Sequence, residues 1–253
     1  MKNECKTKEI EKINDLLGYE GLKIIQRPDA FNFSLDSTLL ADFVTIQKKD
    51  KKIVDLGCGN GYIPIFLTLR TKSKIYGVEL QEDIYDLAKR SVQLNNLEDQ
   101  VEIVNGNIKD IYKTLGISQF DVVTCNPPYF VYKETSNLNK NDYLTIARHE
   151  VEVKLDDVLK TANILLKDGG TFAIVHRAER LMDVLEAFRN HSIEPKRLRF
   201  VYPKIGGDCN HILIEGIKDG SLGGLIVMPP LIVYNEDGLW TEEVISIYNC
   251  SKE

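Results

Sequence analysis

Apolar and polar positions alternate along this chain in two rhythms. Short runs rich in Ile, Val and Leu recur at Ile53–Leu56, Lys74–Glu79, Val101–Asn105 and Phe120–Cys125. Between them lie Tyr62–Leu69, Gln81–Asn95 and Ile108–Leu115, where apolar residues fall three and four apart. The runs predict buried strands and the intervening segments helices. Pro64 falls in the first turn of its helix, where a missing N–H costs little. The rhythm continues with a helix at Leu155–Leu166 stopped by Asp168-Gly169-Gly170, a strand at Thr171–His176 and a helix at Ala178–Asn190. Two β-rich runs, Arg197–Tyr202 and His211–Ile217, flank Gly206-Gly207-Asp208 and read as an antiparallel pair at the end of the sheet. Strand–helix alternation of this kind predicts an α/β fold. Its sheet is seven-stranded and mostly parallel with an antiparallel terminal strand, and helices cover both faces.

The flanks are read the same way. Ile10, Ile13, Leu16 and Leu17 have helical spacing, which predicts a short amphipathic helix ending at Gly18. Leu22–Arg27 is strand-like and stops at Pro28, and Phe31–Phe43 opens a helix capped by Ser34 or Asp36. At the far end Leu225–Met228 and Leu231–Tyr234 flank Pro229-Pro230, and Thr241 starts a closing helix at Glu242–Asn249. The chain therefore divides into a leader with a helical cap (1–50), a core (51–218) and an extension packed on it (219–253). Residues 130–150 are polar and predict a long loop over the site.

Composition narrows the class. With 43% hydrophobic and 28% charged residues among 253, the chain reads as an ordinary globular protein. Five cysteines lie far apart with no Cys-x-x-Cys pair, so neither a disulfide framework nor a zinc site is indicated. The charged start, Met1-Lys2-Asn3-Glu4-Cys5-Lys6, is not a signal peptide, and no apolar run approaches a membrane span. A cytoplasmic protein without a metal is expected. A net charge of −6 argues against a nonspecific nucleic-acid coat but permits a local basic patch.

Two stretches carry chemistry. Asp55-x-Gly57-Cys58-Gly59-x-Gly61 lies between a strand and a helix, where glycines let the backbone bend and a ligand approach it closely. A dinucleotide fold wants Gly-x-Gly-x-x-Gly. This chain instead has Gly-x-Gly-x-Gly with an acid ahead of it, which resembles motif I of class I S-adenosylmethionine-dependent methyltransferases. Glu79 ends the next strand, the position from which a carboxylate accepts from both ribose hydroxyls of either cofactor. In that superfamily an Asp often contacts the adenine amine where this chain has Asn107, which keeps the acceptor oxygen and loses the charge. The second stretch is Asn126-Pro127-Pro128-Tyr129. Its prolines fix two φ angles and remove two donors, so a strand ends in a stiff turn presenting an amide, bare carbonyls and a ring. It matches motif IV of the amino-methyltransferases. An aryl amine is a poor nucleophile because its lone pair is delocalised. The Asn126 oxygen and the Pro127 carbonyl would accept both its N–H groups and aim the lone pair at the methyl, while Tyr129 stacks on the base.

The chain as a whole, from about residue 20 onward, resembles the bacterial tRNA1(Val) adenine-37 N6-methyltransferases. The likeness is carried by Gln26-Arg27, Phe31-Asn32-Phe33-Ser34-Leu35-Asp36-Ser37, the two motifs, Arg148-His149-Glu150, Pro195–Arg199 and Pro229–Tyr234. It implies a Rossmann-like class I methyltransferase fold and S-adenosylmethionine as cofactor. The cofactor set would be Asp55, Gly57, Cys58, Gly59, Gly61, Glu79, Leu80, Asn107, Ile108 and Asn126. The catalytic set would be Asn126, Pro127, Pro128 and Tyr129. The implied substrate is an adenine in a tRNA anticodon loop, with Phe31, Phe33 and Tyr129 near the base.

For the rest of the RNA, Lys196, Arg197, Arg199 and Lys204 lie in an acid-free run with Phe200 and Tyr202 interleaved. That composition suits phosphate and base contacts, and equally an edge strand protected by charge. Cys58 and Cys125 read as small packing residues. Rival acceptors are a release-factor glutamine, a DNA adenine or a ribosomal guanine, and the rival class is a nonenzymatic cofactor- or RNA-binding module. A glutamine enzyme would carry a longer helical domain ahead of its glycine turn, and a DNA enzyme a target-recognition domain.

Overall fold

A computed structural model of the chain describes residues 11–16, 19–27, 35–127 and 153–249. Phe31, Phe33, Ser34, Pro128, Tyr129, the expected loop at 130–150 and Arg148-His149-Glu150 lie outside the described residues.

The core follows the predicted alternation closely. Strands β3 (Lys52–Leu56), β4 (Lys74–Glu79), β5 (Val101–Asn105), β6 (Phe120–Cys125) and β7 (Leu166–Arg177) run parallel in the order β5-β4-β3-β6-β7. Then β8 (Ile193–Lys204) and β9 (His211–Lys218) complete the seven, with β9 inserted antiparallel between β7 and β8. The antiparallel strand is thus last of the seven in sequence but one place in from the edge in space. Two short strands of the C-terminal extension, β10 (Ile226–Val227) and β11 (Leu231–Tyr234), then pair parallel with β8. Among the described residues the sheet therefore has nine strands, not seven. The Pro229-Pro230 break lets one segment return to the same neighbour twice.

Both faces are covered because the parallel strands are apolar on both sides. On one face α1 (Leu35–Phe43), α2 (Tyr62–Leu67), α3 (Glu82–Leu94) and the closing α7 (Glu242–Tyr248) bury Leu40, Phe66, Val92 and Val244. On the other, α4 (Tyr112–Leu115), α5 (Leu155–Leu165) and α6 (Leu181–Asn190) contribute to a second core around Phe120, Leu159, Phe172 and Phe188. Thr241 caps α7 as expected, its hydroxyl accepting from the Val244 N–H at 3.4 Å.

Two local readings are corrected. Where the expected N-terminal helix falls within the described residues, the chain is a strand: β1 (Lys12–Leu16) pairs antiparallel with β2 (Tyr19–Gln26). Within β1, Leu16 is buried while Ile13 is 42% exposed. Pairing with β2 satisfies the backbone. The hairpin is moored to α3, where Arg90 makes two 2.7 Å bonds to the Glu11 carboxylate and Asn95 binds Lys23 through both backbone groups at 2.7 Å. The second correction concerns β7, which starts at Leu166 rather than Thr171. Its register against β6 jumps between Leu166 and Thr171, so Asp168-Gly169-Gly170 forms an irregularity inside the strand instead of a helix stop.

Basic residues of β8 tie both the leader and the extension to the sheet. Arg197 stacks 4.5 Å from the Phe43 ring, bonds Thr45 Oγ1 at 2.6 Å and pairs with Glu215 at 3.1 Å. Arg199 bonds the Pro229 carbonyl and Glu243, and Lys196 bonds the carbonyls of Ser221 and Gly223. Glu215 is only 4% exposed. Arg197→Ala leaves that carboxylate without its cationic partner, though still bonded to Thr45, and a stability loss of about 3 kcal/mol is expected, read as a lower denaturant midpoint at unchanged slope.

Candidate active site

Order and register place the two motifs side by side. The chain runs β3→β4→β5 in one direction across the sheet and resumes at β6 on the other side of β3, which makes the β3/β6 boundary the switch point. Ligands of open α/β sheets bind in the crevice beyond the carboxyl ends of the strands at such a point. Leu56 pairs with Cys125, so Gly57 and Asn126 leave adjacent strands at the same level.

The glycine turn is built for close approach. Gly57, Gly59 and Gly61 have φ of 74°, 54° and 87°. These left-handed values favour glycine. A Cβ on Gly59 would meet nothing within 4 Å, leaving open space above the turn, whereas one on Gly61 would come into ordinary contact with Ala88 of α3 at 3.5 Å. The N–H groups of Gly57 and Cys58 both donate to the Val78 carbonyl at 2.9 Å, tying the turn to β4. Gly77 allows this: a Cβ there would lie 2.9 Å from Cys58 Sγ and Ile103 Cδ1. Nothing in the sequence reading singled out Gly77, although a glycine inside a strand is a signal of close approach.

Two carboxylates flank the turn. Glu79 accepts from the Gly59 N–H at 3.0 Å and the Gln81 N–H at 2.9 Å, so it braces the turn from β4. Burial raises its pKa, and these backbone donors pull it partly back. Asp55 is fully buried; its Oδ1 accepts from Thr124 Oγ1 at 2.7 Å, and its Oδ2 is buried without a hydrogen-bond partner. Burial pushes its pKa up to about 8, with Thr124 opposing and the nearby Glu79 adding to the rise. Cys58 and Cys125 are buried and their thiols pushed up by burial, which fits the packing role.

Beyond β5, Asn107 Oδ1 accepts from the Lys109 N–H at 3.0 Å and shapes the turn. Ile108 is buried and Leu80 is 39% exposed. Asn105, which the sequence reading passed over, donates through Nδ2 to the carbonyls of Glu79 and Leu80 at 3.0 Å and fixes the residues after β4.

At the end of β6, Asn126 is half-buried and Pro127 buried. Asn126 Nδ2 donates to Ser37 Oγ of α1 at 2.9 Å. The same helix carries Thr38, whose hydroxyl hydrogen-bonds Tyr62 OH at 2.8 Å and also bonds Tyr248. The Tyr248 phenol is pushed up to about 12, chiefly by burial. Asp36 faces His211 of β9 at 3.6 Å, where burial lowers the imidazole and Asp36 opposes it. The leader helix is therefore part of the site's frame.

Lys196, Arg197 and Arg199 each make the ties within the fold described above. Their spacing beside Phe200 and Tyr202 is that of an edge strand receiving the extension.

Together, a nine-stranded sheet with its acid-flanked glycine turn and amide motif at one switch point defines a class I methyltransferase. A family model described as Methyltransferase small domain matches residues 23–201, and the chain belongs to that family. Several relatives carry the name tRNA1(Val) (adenine(37)-N6)-methyltransferase. The one from Bacteroides thetaiotaomicron is 29% identical over 187 residues, 73% of this chain and 76% of its own. The one from Porphyromonas gingivalis is 26% identical over 241 residues, 92% and 93% of the two chains. Among solved structures, a predicted O-methyltransferase from Agrobacterium tumefaciens shares the fold with a TM-score of 0.68 at 21% identity, covering 85% of this chain and 95% of that one. TYW2 from Pyrococcus horikoshii, solved with MeSAdo, gives 0.59 at 14% identity and coverage of 85% and 74%.

Proposed function

We propose that this protein uses S-adenosylmethionine to methylate the N6 amine of an adenine in the anticodon loop of a tRNA, A37 of a valine tRNA by analogy with the named relatives. The observation that carries this reading is the adjacency of the glycine turn and Asn126-Pro127 on the paired strands β3 and β6. Charge supports the choice of cofactor. Two buried carboxylates, one with an unpartnered oxygen, suit a cofactor bearing ammonium and sulfonium groups and oppose the pyrophosphate of a dinucleotide. The fitting residues are Asp55 and the 57–61 turn for the methionine part, Glu79 for the ribose, and Leu80, Asn107 and Ile108 for the adenine.

Bound there, the cofactor supplies an electrophilic methyl on its sulfonium. The Asn126 side-chain oxygen and the Pro127 carbonyl accept the two N–H groups of the substrate amine, which holds the nitrogen and turns its lone pair toward the methyl. Transfer would form the N–C bond as the methyl–sulfur bond breaks, leaving the sulfur as a neutral thioether, and the amine proton would depart along one of these hydrogen bonds toward water. Pro128 and Tyr129 complete the clamp and the stacking surface, with Phe31 and Phe33 beside the base. A tRNA-modifying enzyme of this kind works in the cytoplasm.

The test is transfer of labelled methyl to tRNA from a strain lacking the gene, followed by digestion. N6-methyladenosine is expected. Transfer to release factor, DNA or ribosomal RNA in its place overturns the tRNA assignment.

A further inference from the structure

The leader helix contributes one atom to the reaction centre that the motif does not contain. We infer that Ser37 is a positioning residue, acting on the methyl acceptor through Asn126. This rests on the amine-clamp reading of Asn126 given above.

An asparagine amide has a donor end and an acceptor end, and only the acceptor end serves an amine's N–H. Presenting Oδ1 to the substrate turns Nδ2 the other way, and Ser37 Oγ stands there at 2.9 Å to accept from it. Ser37 thus supplies a matching partner for the productive orientation of the amide. The hydroxyl is itself well fixed. Ser37 is 8% exposed and lies between two tethered neighbours, Asp36 facing His211 and Thr38 bonded to Tyr62 and Tyr248. Just past the helix end, Thr45 is held by the Glu215 carboxylate through its N–H at 2.6 Å and its hydroxyl at 2.8 Å. The helix is therefore moored at both ends and to both neighbouring layers. A buried hydroxyl on a frame this constrained holds its partner's rotamer, and misplacing a reacting group by an ångström is enough to cost about a hundredfold in rate.

The same geometry separates this role from simple packing. Ser37→Ala removes one oxygen from a helix interior in which alanine is the better helix former, so folding is expected to survive. It is expected to lower kcat about 10- to 100-fold, with the KM for tRNA and the affinity for S-adenosylmethionine within about threefold of wild type. Ser37→Thr, which retains the hydroxyl, is expected to recover most of the rate.

A double-mutant cycle with Asn126→Ala decides the matter. If Ser37 acts through Asn126, adding Ser37→Ala to Asn126→Ala lowers the residual rate no further. Multiplicative losses in the double variant overturn the inference, as does an unchanged kcat in Ser37→Ala alone. A loss that appears only in KM or in cofactor affinity overturns it too. The wild-type control keeps the two readings apart. If wild type methylates another acceptor and not tRNA, the tRNA assignment fails, and the cycle is run on that acceptor with the same criteria. If wild type methylates none of the acceptors named above, the methyl-transfer reading and this inference fall together.

Discussion

Asn126→Ala is expected to bind S-adenosylmethionine within about threefold of wild type and to transfer methyl between about a hundred and ten thousand times more slowly. The separation follows from where the residue sits. Apart from Asn126 itself, the proposed cofactor groups lie on β3, β4 and the turns that follow β3, β4 and β5, braced by Glu79, Asn105 and the Val78 carbonyl. None of those ties passes through Asn126, whose side-chain amide donates to the leader helix. Equilibrium cofactor binding and single-turnover transfer check the two halves independently. Turnover that survives the substitution would sink the amine clamp. A collapse of cofactor affinity would instead make Asn126 part of the cofactor pocket alone.

That division was partly visible in the sequence. β4, β5 and β6 begin and end where the apolar runs do, because their ends are marked by glycine, polar residues or proline; β6 is a near-continuous buried run, whereas the edge strand β5 alternates buried Val101 and Ile103 with exposed Glu102. The two motifs were legible for the same reason: each sits on the turn after such a strand. What escaped notice depends on pairing between distant segments. The spacing of Ile13, Leu16 and Leu17 is compatible with a helix, and only the presence of β2 as a partner makes residues 12–16 a strand. The bond from Asn126 to Ser37 spans 89 residues, and no local pattern encodes it. The ties of the basic run at 196–199 were not legible because its partners, Phe43, Glu215, Pro229 and Glu243, are scattered across nearly the whole chain. Charge and aromatic content describe a surface; they do not say whether the chain itself covers it.

Asp55→Asn is expected to raise stability at pH 8 relative to wild type while weakening the cofactor. In the folded protein the Asp55 carboxyl holds its proton to about pH 8, whereas in the unfolded chain it ionises near its ordinary value of 3.8. Between those values the native state binds the extra proton, so stability falls as pH rises. Below about pH 4 the carboxyl is protonated in both states and contributes no slope; above about pH 8 it is ionised in both and the loss is complete. Integrated over that window the effect is at most about 6 kcal/mol, since each unit is worth about 1.36 kcal/mol. Asparagine does not ionise, keeps an oxygen for the Thr124 hydroxyl and replaces the protonated oxygen with an amide donor. The difference between variant and wild type should therefore be small near pH 4 and grow steadily toward pH 8, read from denaturant midpoints across that range. Cofactor binding moves in the opposite sense. A cationic cofactor favours the ionised carboxylate, so binding to wild type releases a proton and tightens as pH rises toward 8, and the asparagine variant loses both the affinity and that slope. Equal pH dependence of cofactor affinity in the two proteins would place the unpartnered Asp55 oxygen outside the cofactor's reach.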